Sequence, residues 1–171
     1  MDAQRYTQIL DATYTVGKML ESHPNVTNGM DEETLRDLFL TQIQTSFKSE
    51  AAIGEAFNKN GKTDILVKRG DGIVFIAECK FWKGKQVLLD AISQLLSYLT
   101  WRDTKTALLI FIRGTSMTAA VSSIKKNVVT HPNYKSKETT NGETWFNYRF
   151  SMAQDQDRDV YLAIQLFDFS S

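Results

Sequence analysis

Hydrophobic positions in the first part of the chain repeat with the period of an α-helix. Residues 2–21 carry apolar side chains three and four positions apart, and residues from about Asp31 to Ser46 do the same. The second segment starts with an acidic first turn, which suits the positive end of a helix dipole. His23-Pro24-Asn25 interrupts the pattern between them. The pattern predicts two helices joined by a loop.

The period then shortens to that of β-strands. Ala51–Asn58, Lys62–Lys68 and Ile73–Lys80 are each predicted to form a strand. Arg69-Gly70-Asp71-Gly72 indicates a tight turn, so the second and third strands should pair antiparallel. The third strand begins with a nearly continuous apolar run, which is typical of a strand covered on both faces.

The second half of the chain alternates between helices and strands. A long helix between the third and fourth strands predicts a parallel crossover. Lys135–Gly142 is the most polar stretch and is predicted to be an exposed loop. The predicted elements are a helix at 86–101, a strand at Ala107–Ile112, a helix at Ser116–Val129, and strands at Trp145–Met152 and Val160–Phe169.

This order of elements predicts an α/β fold, a mixed β-sheet flanked by α-helices. Residues 1–171 form one predicted domain, with a core at about 31–130, an N-terminal helix at 2–21 and a C-terminal hairpin at 145–169.

Composition narrows the class of protein. A 42% hydrophobic content excludes a wholly disordered chain, and a formal net charge of zero argues against a strong stand-alone binder of nucleic acid. The single cysteine excludes an intramolecular disulfide and favours a reducing, cytoplasmic compartment. No apolar run reaches the length of a membrane helix, so no membrane partner is predicted.

Three charged residues near the predicted hairpin are candidates for chemistry. A turn centred near Asp71 would place Asp64 opposite Glu78 on neighbouring strands, and strand periodicity puts Glu78 and Lys80 on one face, with Cys79 on the other. Two acids and a lysine are the groups needed to hold Mg²⁺ or Mn²⁺ and to activate a water molecule. The alternative is an ordinary salt bridge at the strand ends. Acids are depleted in strands, and a facing pair is costly without a cation, so the metal site is favoured.

Three segments resemble the motifs of the PD-(D/E)xK nuclease superfamily, also called restriction-endonuclease-like. Two of them, Thr63-Asp64 and Glu78-Cys79-Lys80, match its central motif. The third, Gln94-Leu95-Leu96-Ser97-Tyr98, matches the QxxxY pattern of its RecB-like members. Nearly all of the resemblance lies within Phe57–Arg113. Thr63 stands where the family pattern has proline. The segments Glu78–Trp82 and Tyr98–Lys105 also resemble an uncharacterised bacterial group.

The resemblance implies a restriction-endonuclease-like fold and a role for each matched position. Asp64 and Glu78 would ligate the metal with the carbonyl of Cys79, and Lys80 would position the attacking water. Many members add an acid from the preceding helix to the metal site. The candidates for this acid are Asp31, Glu32, Glu33 and Asp37. Helix geometry puts Glu32 on the side of the buried stripe and Glu33 about 100° away, which favours Glu32; the alternative is that these acids only stabilise the first turn.

Two further groups extend the candidate site. Gln94 and Tyr98 are one helical turn apart, so they share a face and can bind Lys80, a metal-bound water or phosphate; the alternative is a decorated helix surface. Trp82, Lys83 and Lys85 combine an aromatic ring with cations just after the motif, a pattern suited to stacking on bases and contacting phosphates. Core packing by Trp82 with solvated lysines is the alternative.

The sequence thus predicts a metal-dependent nuclease that acts on DNA, in a setting such as prokaryotic restriction, repair or defence. Because the net charge is zero, a second copy of the chain or a partner protein is expected to supply affinity for DNA. A catalytically silent binding or assembly module on the same fold, or an RNA nuclease, remains the alternative. The two histidines, His23 and His131, each lie beside a proline and give little support to a Ser/His/Asp mechanism.

Overall fold

The computed structural model describes residues 3–48, 51–58 and 61–170, with side chains for 3–48 and 63–170. The helices in these ranges are α1 (Ala3–Glu21), α2 (Pro24–Thr27), α3 (Glu32–Ser46), α4 (Lys85–Tyr98) and α5 (Met117–Val128). The strands are β1 (Ala51–Asn58), β2 (Gly61–Arg69), β3 (Gly72–Phe81), β4 (Lys105–Ile112), β5 (Tyr134–Thr140), β6 (Trp145–Ser151) and β7 (Asp159–Asp168).

The strands form one mixed sheet in the order β1-β2-β3-β4-β7-β6-β5. The three central strands β3, β4 and β7 are parallel to one another, and the other neighbouring strands pair antiparallel. The chain crosses from β3 to the parallel strand β4 through α4, as predicted. The fold is therefore α/β, a mixed sheet flanked by helices.

Each face of the sheet is covered by a separate apolar core. One core joins the sheet to α1 and α3, and the other joins it to α4 and α5. Along β3, Ala77 and Cys79 belong to the first core and Ile76 to the second. Because side chains alternate along a strand, Glu78 and Lys80 lie on the same face as Ile76, toward α4 and α5.

The predicted loop at Lys135–Gly142 is wrong, because Tyr134–Thr140 forms the edge strand β5. Its side chains alternate between half-buried and exposed positions. The backbone pairs with β6, and such pairing needs no apolar side chains at a sheet edge, so the polar composition concealed the strand.

Two predicted boundaries also differ from the structure. The interruption after His23 contains the four-residue helix α2, since proline is tolerated in the first turn of a helix. The helix predicted at 86–101 ends at Tyr98, because Leu99 adopts an extended backbone conformation. The chain then turns where Asp103 Oδ2 accepts hydrogen bonds from the Thr100 backbone N–H and hydroxyl, at 2.8 and 2.6 Å.

A buried polar contact fixes α1 on the central strand β7. Gln165 is fully buried; its Nε2 donates to Leu10 O at 2.9 Å, and its Oε1 accepts from the Thr13 hydroxyl at 2.8 Å. Gly17, one turn further along α1, lies against the ring of Phe167. Within the described ranges, no helix combines the length and apolar character needed to cross a membrane.

Candidate functional site

The candidate carboxylates meet where β2 and β3 pair. Ile65 pairs with Ala77, a register that puts Asp64 opposite Glu78, in agreement with the predicted hairpin. The turn contains Gly70, whose φ of 59° is a left-handed conformation that glycine adopts without strain. Asp64 Oδ2 accepts a hydrogen bond from the Cys79 backbone N–H at 2.8 Å, and the Asp64 N–H reaches Glu78 Oε1 at 3.4 Å. Each acid is therefore oriented by the backbone of the neighbouring strand.

Glu78 lies in an environment that disfavours its ionised form. Its residue surface is 1% exposed. The pKa of Glu78 is raised to about 8, mainly by burial and also by the charge of Asp64, while the charge of Lys80 opposes the rise. Two acids held side by side in this way form a site that an added positive charge would stabilise.

The buried carboxyl predicts an unusual dependence of stability on pH in protein free of divalent metal. The folded protein binds the Glu78 proton more tightly than the unfolded chain does, so this contribution is fully present below pH 4.5 and is lost as the pH rises through about 8. We expect Glu78→Gln to be more stable than the wild type at pH 8.5, by roughly 3–5 kcal/mol at about 1.4 kcal/mol per pKa unit, and to differ little at pH 4.

Urea unfolding of both proteins in EDTA at the two pH values measures this difference. Asp71→Asn is the matched control, because Asp71 is an exposed acid in the turn of the same hairpin. Equal stability of wild type and Glu78→Gln at pH 8.5 would contradict the prediction.

Lys80 leaves β3 on the face toward α4 and α5, yet its ammonium group reaches an acid from α3, which packs on the other face. Lys80 Nζ lies 3.5 Å from Glu32 Oε1, and the Phe81 backbone N–H donates to Glu32 Oε2 at 2.9 Å. Burial lowers the pKa of Lys80, but the carboxylates of Glu32, Asp64 and Glu78 outweigh it, so the net pKa is raised and the ammonium form is favoured.

Helix α3 explains why Glu32 is the acid that reaches the strand. Asp31 caps the helix by accepting a hydrogen bond from the Thr34 N–H at 2.8 Å, which makes Glu32 the first helical residue. Glu33 and Asp37 are exposed. Of the acids considered from sequence, the structure thus brings Glu32 to the Lys80 side chain.

Cys79 contributes to the site through its backbone. The side chain is fully buried in the core on the opposite face, and burial raises the pKa of the thiol well above its ordinary value. The observed contact with Asp64 uses the Cys79 N–H. Metal ligation by its carbonyl oxygen stays a prediction.

Gln94 and Tyr98 share a face of α4, as their spacing predicts. Gln94 Nε2 donates to Tyr98 Oη at 2.6 Å, and both side chains are half-buried. The hydrogen bond joins the two residues to each other. Their contact with Lys80, a metal-bound water or phosphate stays a prediction.

The predicted nucleic-acid-binding segment follows β3 directly. Trp82 is partly buried and packs against the core under α4 and α5, and its backbone N–H donates to Phe111 O at 2.9 Å. Lys83 and Lys85 are exposed. The segment therefore presents cations beside the site, whereas much of the indole packs inward.

The available side chains fit a magnesium or manganese ion that takes only a few of its ligands from the protein. In the part of the chain that the structure describes, no group of three or more His, Cys, Asp or Glu side chains is placed to hold a metal ion. Mg²⁺ is usually bound by one or two carboxylates and keeps waters and phosphate oxygens as its other ligands. Asp64 and Glu78 supply such a pair, and the pKa of Glu78, raised first by burial and then by the charge of Asp64, shows that the ionised pair lacks a compensating positive charge.

Sequence reasoning missed Arg113, which lies beside this site. Its Nη1 donates to Met30 O at 2.8 Å, its Nη2 donates to Thr27 O at 2.9 Å, and its guanidinium lies 4.8 Å from the ring centre of Phe81. The position of Arg113 in the sequence could have indicated its place near the site. Arg113 directly follows β4, which is parallel to β3, and the carboxyl ends of parallel strands meet at one edge of a sheet.

A second contact absent from the sequence analysis joins Ser93 to His131. Ser93 Oγ lies 2.9 Å from His131 Nε2, while the Asn133 N–H donates to His131 Nδ1 at 3.1 Å. Because Nδ1 accepts this hydrogen bond, the neutral ring carries its proton on Nε2. The imidazole is thus in the wrong tautomer to accept a proton from Ser93, and the pair is not a nucleophile–base dyad.

Comparison of the chain with protein-family models, with curated proteins and with solved structures found no match.

Proposed function

We propose that this protein is a metal-dependent nuclease of the PD-(D/E)xK type, which hydrolyses phosphodiester bonds in DNA with Mg²⁺ or Mn²⁺. The observation that supports it most is the position of Asp64 opposite Glu78, with Lys80 on the same face two residues along β3. The raised pKa of Glu78 adds the electrostatic need for a cation. Membership of this superfamily and its fold are part of the same proposal.

The residues have distinct roles in this proposal. Asp64 and Glu78 provide the carboxylate oxygens for the metal, and the Cys79 N–H keeps the Asp64 carboxylate in place. A bound divalent cation supplies charge neutralisation at the phosphate and lowers the pKa of a bound water. Lys80, kept as an ammonium, donates a hydrogen bond that orients the attacking water or offsets charge on a phosphate oxygen.

DNA as the substrate and the roles of the surrounding residues rest on the resemblance in the motif. Lys83 and Lys85 are exposed and placed to contact phosphates, with the exposed part of Trp82 available for stacking. Gln94 and Tyr98 would bind the metal-site water or the phosphate backbone. Since the net charge is zero, we expect a second copy of the chain or a partner protein to supply part of the affinity.

Cleavage assays test the proposal directly. Purified protein is incubated with supercoiled, linear and single-stranded DNA and with RNA, in Mg²⁺, Mn²⁺ or EDTA, beside Asp64→Asn as the inactive control. We expect metal-dependent cleavage of DNA by the wild type alone. Cleavage of RNA but not DNA would change the substrate class. Absence of all cleavage with Mn²⁺ still bound would favour a silent binding module.

Metal binding itself should stabilise the fold. A cation that binds the native carboxylate pair and not the unfolded chain raises the melting temperature; at a concentration 100 times its dissociation constant the gain is about 2.7 kcal/mol. We expect Mn²⁺ at millimolar concentration to raise the melting temperature of the wild type by several degrees and that of Asp64→Asn by much less. Equal shifts in both proteins, or none in the wild type, would argue against a site at Asp64.

A further inference from the structure

Glu32 is engaged at both of its carboxylate oxygens by the strand that carries Glu78 and Lys80. Oε2 accepts the Phe81 N–H at 2.9 Å, and Oε1 lies 3.5 Å from Lys80 Nζ. The backbone hydrogen bond fixes the carboxylate on β3, and the second oxygen then faces the ammonium group. This geometry matches a group that orients Lys80, and it leaves both oxygens with partners other than a metal.

The position of Glu32 depends in turn on the segment before α3. Arg113 donates to the carbonyl oxygens of Thr27 and Met30, at 2.9 and 2.8 Å, and so connects the end of α2 to the residue just before the cap of α3. The planar guanidinium is suited to bridging two acceptors at once. The same group stacks on Phe81, whose N–H binds Glu32.

These contacts form a closed ring that runs from Glu32 to Phe81, from Phe81 to Arg113, from Arg113 to Met30, and along the chain back to Glu32. The ring joins the end of β4, the end of β3 and the beginning of α3. Lys80 is the side chain that the ring holds through Glu32.

We propose that Glu32 is a positioning residue for Lys80 rather than a metal ligand, and that Arg113 keeps α3 where Glu32 can perform this role. The inference rests on the proposed nuclease function for its meaning in catalysis. The contacts that carry it can be tested without cleavage.

The first experiment measures how firmly Lys80 is held. Metal-free protein is treated with limiting acetic anhydride, and mass spectrometry compares acetylation of Lys80 with that of exposed Lys83 in the same chain. Glu32→Gln keeps an oxygen for the Phe81 N–H but loses the charge that pairs with Lys80. We expect Lys80 acetylation to become severalfold faster in this variant, with Lys83 unchanged.

The second experiment separates positioning from metal ligation. Mn²⁺ titrations of wild type and Glu32→Gln should give dissociation constants within about twofold of each other, whereas the rate of DNA cleavage at saturating Mn²⁺ falls about tenfold to a hundredfold, since a small misplacement of a catalytic group has effects of this size. A metal ligand would instead weaken Mn²⁺ binding by tenfold or more, and that result would overturn the inference.

Arg113→Lys tests the other half of the ring, because lysine keeps the charge but lacks the planar guanidinium whose two nitrogens donate separately to the two carbonyl oxygens. We expect faster Lys80 acetylation and slower cleavage, with Mn²⁺ affinity unchanged. The double variant with Glu32→Gln should show no more than the larger single effect on acetylation, since both changes act through one contact. Additive effects, or unchanged Lys80 acetylation in Glu32→Gln, would overturn the inference.

The two proposals fail in different ways. If the wild type neither binds Mn²⁺ nor cleaves any nucleic acid, the nuclease assignment fails. Lys80 acetylation then decides the positioning inference alone: faster reaction in both variants supports it, and an unchanged rate overturns it.

Discussion

Lys80→Ala is expected to lose DNA cleavage by roughly 10²–10³-fold, the usual effect of removing one group that stabilises charge in a transition state. The same change should alter the melting temperature little. The ion pair with Glu32 is about 3.5 Å long and both side chains are partly exposed, and such pairs typically contribute at most about 1 kcal/mol. Single-turnover cleavage with Mn²⁺, together with thermal melts, measures both quantities.

Lys83→Ala is the matched control for this prediction. Lys83 is a cation just beyond the same strand, but it is exposed and lies outside the Glu32 contact. Its loss should weaken substrate binding modestly and leave the rate at saturating substrate nearly unchanged. Wild-type activity in Lys80→Ala would remove the basis of the proposed mechanism.

Gly17→Ala is expected to destabilise the fold by about 2–3 kcal/mol, although alanine in place of glycine normally stabilises a helix by about 1 kcal/mol. A Cβ atom at position 17 would lie 2.1 Å from Phe167 Cε1. The Phe167 ring is fully buried, with the ring centres of Phe39 and Tyr14 at 5.2 and 6.0 Å, so it has little room to move. For a domain of this size, we expect the melting temperature to fall by about 5–10 °C.

A double-mutant cycle with Phe167→Leu identifies the cause. Leucine removes the ring atoms that the new methyl group would meet, so the destabilisation by Gly17→Ala should largely disappear in the Phe167→Leu background. Gly72→Ala is the control for a glycine in ordinary contact, since a Cβ there would lie 3.7 Å from Arg69 O. A higher melting temperature for Gly17→Ala would show that α1 and β7 are less closely packed than described.

Periodicity along the chain was sufficient to predict most elements. The predicted strand Ala51–Asn58 coincides with β1, and the helix at 2–21 coincides with α1 from Ala3 to Glu21, with Asp2 outside the described residues. Asp64 lies opposite Glu78, as predicted, but the two-residue turn with Arg69 opposite Gly72 would by itself set Asp64 opposite Ala77. A β-bulge between Val67 and Lys68 shifts the register by one residue. Local patterns predict the elements because strand and helix geometry repeat over a few residues.

Amino-acid composition gave wrong predictions for two segments whose backbone conformation is set by tertiary contacts. Tyr134–Thr140 is a polar segment that forms a strand because β6 offers a backbone edge for pairing. Tyr98 ends α4 although apolar residues continue, since Leu99 leaves the helix and is still buried. A hydrophobic residue signals burial, and burial alone does not specify the backbone conformation.

The sequence by itself determined the α/β class and the hairpin, because each depends on residues close together in the chain. The exact register that sets Asp64 opposite Glu78 also depends on the β-bulge between Val67 and Lys68. Helix geometry favoured Glu32 among the acids of α3, but only the tertiary structure showed that it contacts Lys80 and Phe81 and which residue holds that helix. The contact of Glu32 with Phe81 spans 49 residues, and that of Arg113 with Thr27 spans 86. Such contacts arise from the packing of whole elements on the sheet, which no short-range period records.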